Sequence, residues 1–342
     1  MHGWIILDKP VGLGSTQSVS AVKRALREGG YPRRKVGHGG TLDPLASGVL
    51  PIAIGEATKL AGRMLDSDKS YAFTIKFGEE TDSLDAEGAV IASSAARPTI
   101  EEIETVLPRF TGTIEQVPPA FSALKIDGKR AYDLARAGEE VRLATREVTV
   151  HSLKILPELV SGRGTIGTAD GGGVRGGEAG ARTRAAPPPF ANANGPPPRS
   201  GEDQVTLVAH VSKGTYIRSL ARDIAHALGT VGHVTMLRRL KAGPFTLDSA
   251  ISLDKLAESA KARALEDVSL PLSTALDDIP ALALTPDQAG LLRQGRVLVG
   301  TAVDDGQYFA TEGETPVALV EVLNREVRVV RGFNLTPDVE GK

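Results

Sequence analysis

The chain has 342 residues, 41% of them hydrophobic and 24% charged, with no cysteine and a net charge of −2. That length suits one large domain plus a smaller one. The missing cysteines exclude disulfides, thiol nucleophiles and cysteine-based zinc sites. No apolar run reaches the length of a membrane span. The few apolar residues before Asp8 and Lys9 are too short for a signal-peptide core, so a cytosolic protein is expected. The near-neutral total hides a division. Residues 1–65 carry nine Lys/Arg against four Asp/Glu, residues 204–245 carry six against one, and residues 246–342 carry nine against 16. Two basic segments folded together would make a positive surface for a phosphate backbone; ordinary solvated charge explains the composition equally well.

In chain order, "WIILDKP" reads as a short buried strand ending at Lys9-Pro10. "STQSVSAVKRALREGG" then reads as an amphipathic helix, capped by Ser15, Thr16 or Ser18, with Val19, Val22 and Leu26 on one face and Gly29-Gly30 ending it. "SYAFTIKF" (70–77) alternates as a strand, with Tyr71, Phe73, Ile75 and Phe77 on one face. Thr99 and Glu102 have capping-box spacing ahead of a helix carrying Ile103, Val106, Leu107 and Phe110. Strands are expected at 147–156 and 205–211, and a helix at 217–228. Between those two strands, residues 160–203 hold 11 Gly and 6 Pro. Such a segment cannot bury enough apolar surface to offset its ordering entropy, so it reads as a flexible insertion in a hairpin. Its Arg163, Arg175, Arg182, Arg184 and Arg199 suit an RNA-contacting arm less well than an inert loop. Beyond it, "TPDQAGLLRQG" predicts a short helix, and "PVALVEVLNREVRVVRGFNL" two strands joined near Asn324-Arg325. Few βαβ repeats occur, so the class is α+β with a mainly antiparallel mixed sheet.

The stretch "KVGHGGTLDPLASGVLPIAIGEATK" (35–59) sets one carboxylate, Asp43, among glycines and small residues. Pro44 biases Asp43 away from helix, and the glycines allow close approach of a bulky ligand. A binding or catalytic loop fits; so does an Asp closing a turn, its commoner role beside Gly and Pro. Neither a Walker A nor a dinucleotide fingerprint is present.

This stretch resembles the catalytic motif of the TruB family of tRNA pseudouridine synthases. "ILDKPVGLGSTQSV" is similar to the family's opening motif and "LDSDKSYAFTIKFGEETDSLDAEG" to its next block. "QVPPAFSALKIDGKRAYDLARAGEEV" and "SKGTYIRSLARDIAHALGTVGHVTMLRRLKAGPF" follow in the family's order, so the likeness covers about 1–158 and 204–250. It implies isomerisation of uridine 55 in the T loop of tRNA to pseudouridine, without cofactor or metal. It implies a pseudouridine synthase catalytic domain over 1–250, interrupted by the 160–203 insertion, and a small β-rich PUA-like domain over 275–338.

By the same resemblance Asp43 is the catalytic aspartate, Tyr71 the active-site tyrosine that stacks on the flipped base, and Arg218 the arginine that pairs with the aspartate. Asp85 supports that network. His38 contacts RNA near the flipped nucleotide, and Leu237 helps line the uracil pocket. Lys9, Lys59 and Lys213 fit phosphate or structural contacts. Read without the family, Tyr71 and Leu237 suit core positions, Asp85 a turn, and Arg218 and the lysines the surface. The expected partner is the T arm of tRNA, bound by a monomer with no obligatory protein partner. One departure stands out: Gly39 replaces the family's usual Thr or Ser, which predicts a lost hydroxyl near the RNA backbone and a looser loop. Two other readings remain at this point, a guide-RNA-dependent synthase and a non-catalytic RNA-binding or tRNA-folding protein.

Overall fold

In the computed structural model, which describes residues 1–122, 124–126, 128–139, 141, 143–156 and 201–335, the expected elements appear in order. The opening strand is Gly3–Lys9, the amphipathic helix Ser15–Glu28, and the alternating strand Lys69–Phe77. The capping box forms as read: Thr99 Oγ1 accepts from the Glu102 amide at 3.2 Å, and Glu102 Oε2 accepts from the Thr99 amide at 2.9 Å. The cap of the first helix differs. Gly14 is its N-cap, and Gln17 Oε1 accepts from the Gly14 amide at 2.8 Å. Ser15 lies inside the helix, where its hydroxyl serves another loop (below).

Among the described residues ten strands make the main sheet, whose central path runs Gly3–Lys9, Ala46–Ile54, Gly232–Ala242, Lys69–Phe77, Gln204–Val211, Arg146–Ile155 and Gly112–Gln116. All pairings along that path are antiparallel except one, where Leu237–Arg239 lie parallel to Ala46–Gly48. The hairpin between Arg146–Ile155 and Gln204–Val211 is formed. The inert-loop and RNA-arm readings concern the 160–203 insertion, of which residues 160–200, with all five arginines, lie outside the described residues.

The Ala46–Ile54 strand follows the Asp43 loop directly and is shared three ways. One edge pairs with the opening strand along its length. The other edge pairs with Leu237–Arg239 at its start and with Val36–His38 at its end. Gly48 makes this crossing possible: its φ is +99°, and a Cβ there would stand 2.2 Å from the Arg239 carbonyl oxygen, a contact no side chain survives.

Both sheet faces are covered, so alternation sorts residues between two cores rather than between core and water. Phe73, Ile75 and Phe77 pack with Leu220 and Ile224 of the Ile217–Ala227 helix. Trp4, Ile6 and Val49 point to the opposite face. Ile5, Leu7 and Leu50 share the face of Phe73 and form a second core there with Val22 and Leu26 of the first helix. Tyr71 and Leu237 touch both cores and mark the seam between them.

A second, five-stranded sheet is built from Ala281–Ala283, Leu298–Val299, Gly306–Glu312, Thr315–Leu323 and Glu326–Gly332. The last two strands turn at Asn324 and Arg325, both at positive φ, as a tight hairpin requires. The short helix read from "TPDQAGLLRQG" is Pro286–Arg293. Phe309 and Leu319 of this sheet, with Phe333 just past its last strand, share one core with Trp4, Ile6 and Met64 of the main domain. No helix among the described residues is long and apolar enough to cross a membrane.

Candidate active site

Asp43 sits in the last turn before the Ala46–Ile54 strand, its carbonyl accepting from the Ala46 amide at 3.0 Å. The loop around it is tied down from three directions. Ser15 Oγ donates to the Leu42 carbonyl at 3.0 Å and accepts from the Leu42 amide at 2.8 Å. The Gly12 amide donates to the Pro44 carbonyl at 2.8 Å. Lys9 is fully buried, and its ammonium donates to the carbonyls of Leu13 (2.6 Å), Pro10 (3.0 Å) and Pro44 (3.4 Å). Burial pushes the Lys9 pKa down to about 8, against an opposing pull from Asp43. Of its two readings, phosphate contact or structural contact, the geometry gives the structural one.

Arg218 lies near the start of the Ile217–Ala227 helix, almost wholly buried. One terminal nitrogen meets Asp43 Oδ2 at 2.8 Å and the Phe121 carbonyl at 3.0 Å. The other meets Asp85 Oδ2 at 3.0 Å and the Ser83 carbonyl at 2.9 Å. Asp85 is itself held, its Oδ1 accepting from Ser83 Oγ at 2.6 Å and from the Glu87 amide at 3.1 Å. The Asp43 side chain stays 45% exposed while Asp85 is 10% exposed. The guanidinium is therefore anchored on one carboxylate and presents the other to the open side.

Asp43, Arg218, Tyr71 and Leu237 line one cavity of about 370 Å³, together with Tyr216 and Arg239. Its walls come from segments more than 190 residues apart, and the two basic segments of the chain meet here. Asp85 stands behind Arg218, outside the lining.

Arg239 is the residue sequence reasoning missed. Its guanidinium is buried, forms no ion pair among the described residues, and donates to three carbonyls: Val49 at 2.7 Å, Thr41 at 3.2 Å and Gly40 at 3.4 Å. It fills the fork where the Ala46–Ile54 strand changes partners, and it holds the loop that carries Asp43. Its neighbour Arg238 faces the other way and pairs with both oxygens of Asp8, at 3.0 and 2.8 Å. The signal was available, since adjacent arginines on a strand must point to opposite faces, so one of the pair in "MLRRL" had to be inside. The Arg239 charge also reaches its neighbours. With burial it lowers the pKa of His38, and that of Lys69 to about 8.

His38 is half-buried on the short Val36–His38 strand, and its buried Nδ1 has no hydrogen-bond partner among the described residues. Two lysines stand apart from the cavity lining. Lys59 pairs with Glu56 at 2.7 Å and donates to the Gly332 carbonyl at 2.8 Å, joining the main domain to the second sheet. Lys213 is exposed and meets Asp66 at 3.1 Å. Gly39 corrects an expectation. A Cβ there would lie 2.7 Å from Met64 Cβ and 3.6 Å from the Trp4 ring. A Thr or Ser side chain would start into the core rather than toward RNA, and the buried Gly39 amide is fixed to the Pro51 carbonyl at 2.8 Å.

Residues 28–160 match the family model of the TruB family pseudouridylate synthase N-terminal domain, and residues 218–277 that of the tRNA pseudouridylate synthase B C-terminal domain. The tRNA pseudouridine synthase B of Novosphingobium aromaticivorans is 56% identical over 335 residues, covering 98% of each chain. The chain belongs to the TruB family of pseudouridine synthases. The Zymomonas mobilis TruB relative, also described as tRNA pseudouridine synthase B, is 55% identical over 98% of this chain and 96% of its own. Among solved structures, a chain of an H/ACA RNP bound to a substrate RNA containing 2'-deoxyuridine aligns at a TM-score of 0.63 and 22% identity, over 98% of this chain and 85% of that one. A chain of a Cbf5-Nop10-Gar1 complex aligns equally well. These two share the TruB pseudouridine synthase fold.

Proposed function

We propose that this chain isomerises uridine 55 in the T loop of tRNA to pseudouridine, with Asp43 as the reacting carboxylate. The observation that carries this reading is the Asp43–Arg218–Asp85 chain at the mouth of a cavity walled by Tyr71 and Leu237. The reaction breaks the bond from N1 of uracil to C1′ of ribose, turns the base, and joins C5 to C1′. The C5 proton leaves and N1 gains one, so atoms balance and neither oxidant nor reductant is needed.

Each residue then has a task. Arg218 orients Asp43 through the 2.8 Å contact, so the carboxylate is held for reaction by placement. Asp85 fixes Arg218. Tyr71 supplies a stacking face for a base taken out of the loop, which costs less to extrude than one in a duplex. Leu237 closes the apolar wall, and neutral His38 offers its ring to RNA by hydrogen bonding. Lys213, exposed beside Asp66, serves the backbone side of the RNA. We assign catalysis to residues 1–250 and an accessory RNA contact to the PUA-like unit over 275–338. The chain acts as a cytosolic monomer, without cofactor, metal or protein partner.

The test is tritium release from a T-arm stem-loop labelled at C5 of its uridines. Release by the wild type and none by Asp43→Asn, with RNA binding retained, is the expected result. Tight binding without release by the wild type would overturn it in favour of a guide-dependent enzyme or a binding protein.

A further inference from the structure

A groove of about 970 Å³ runs between the Ser15–Glu28 helix and the loop that follows it. Lys23, Arg27, Arg33, Arg34 and Lys35 line it, and no carboxylate does. These five cations form no ion pair among the described residues and are all exposed, on a protein whose total charge is −2. So dense a patch of one sign carries self-repulsion that folding alone does not reward.

The loop is also held in place. The Tyr31 amide donates to the Leu26 carbonyl at 2.9 Å, and its hydroxyl accepts from the Leu265 amide at 3.0 Å and donates to Glu266. At the other end the Lys35 carbonyl accepts from the Gly55 amide at 2.8 Å. Arg33 and Arg34 thus hang between two fixed points across from Lys23 and Arg27. A groove arranged in advance loses less on binding.

Its position defines its use. The helix starts at Ser15, which is bonded to Leu42 beside Asp43. Arg27 lies twelve residues further on, about 18 Å along the axis at ~1.5 Å per residue. That is too far to hold the reacting nucleotide, so the groove would meet RNA several steps away along the stem.

We infer that this groove is a second anion track that holds the phosphodiester backbone of the substrate tRNA away from the reacting loop. The inference rests on the tRNA reading above. The test is the salt dependence of full-length tRNA binding by K23Q/R27Q/R33Q/R34Q and by R33Q/R34Q, beside the wild type, with thermal midpoints measured in parallel. The four-site variant is expected to bind about tenfold or more weakly at low salt. Its slope of log K against log salt should flatten by roughly 0.7–0.9 for each phosphate that is no longer neutralised. R33Q/R34Q, altered only in the exposed loop, should show a smaller change of the same kind. Unchanged affinity and slope in both variants would overturn the inference, as would weaker binding at an unchanged slope, which signals altered folding. Wild-type tritium release is read separately, so failure of the functional reading is distinguishable from failure of the groove.

Discussion

Arg218 meets Asp43 at 2.8 Å while Asp85 holds the same guanidinium from behind at 3.0 Å. The two carboxylates differ in exposure, and that difference separates their roles. Removing a buried partner of a buried charge costs about 3–5 kcal/mol, much more than loss of a half-exposed one. Asp85→Ala should therefore lower the unfolding free energy by about that amount, while Asp43→Ala lowers it less and abolishes turnover. Urea denaturation and single-turnover assays on both variants check this; equal destabilisation would remove the asymmetry.

Arg239→Met should leave the carbonyls of Gly40, Thr41 and Val49 without their donor and let the Asp43 loop drift. A misplacement near 1 Å costs on the order of 10²-fold in rate, so kcat should fall by that order. Since the Arg239 charge helps to lower the His38 pKa, that pKa should rise in the variant. An NMR titration of His38 reads the second effect independently of activity, and an unmoved pKa would contradict the assigned electrostatic reach.

Gly39→Thr should destabilise by about 1–3 kcal/mol through overpacking against Met64. In a Met64→Ala background the same substitution should cost less, because the Met64 Cγ that lies 3.1 Å from the added Cβ is gone. Denaturation midpoints of the four proteins form the cycle. Strict additivity would place the crowding on the Met64 Cβ at 2.7 Å, which alanine retains, rather than on the rest of that side chain.

Lys9 supplies a pH test. Its folded pKa of about 8 lies below the ordinary value of 10.5, so between those limits the unfolded chain binds more protons than the folded one. Stability contributed by this group must then rise with pH through that window. The stability of wild type relative to Lys9→Met should increase from pH 7.5 to about pH 10. Urea titrations at several pH values check it, and a constant difference would refute it.

Periodicity locates the helices and strands, because an apolar face leaves its mark at intervals of two or 3.6 residues. Family resemblance brings Asp43, Tyr71, Arg218 and Leu237 to one cavity on paper, and the fold places them there. The missed features share a cause. The Leu237–Arg239 pairing with Ala46–Gly48 joins positions 191 residues apart, and no local pattern encodes such a register. The task of Arg239 exists only once that pairing does. Gly39 misleads because backbone direction, not residue type, decides where its missing side chain would point. Ser15 has the composition of a cap, yet its hydroxyl is bonded to a loop 27 residues onward.

The three-way sharing of the Ala46–Ile54 strand also governs when the protein can act. A chain leaving the ribosome carries Asp43 early, but the loop's buried anchor is residue 239, and Arg218 follows only shortly before it. Until roughly 242 residues have emerged, the Asp43 loop has its anchors in Lys9, Gly12 and Ser15 but lacks the parallel strand and the two guanidinium groups that complete its frame. The candidate site is therefore put together late, by residues that enter the chain almost 200 positions after the loop they hold.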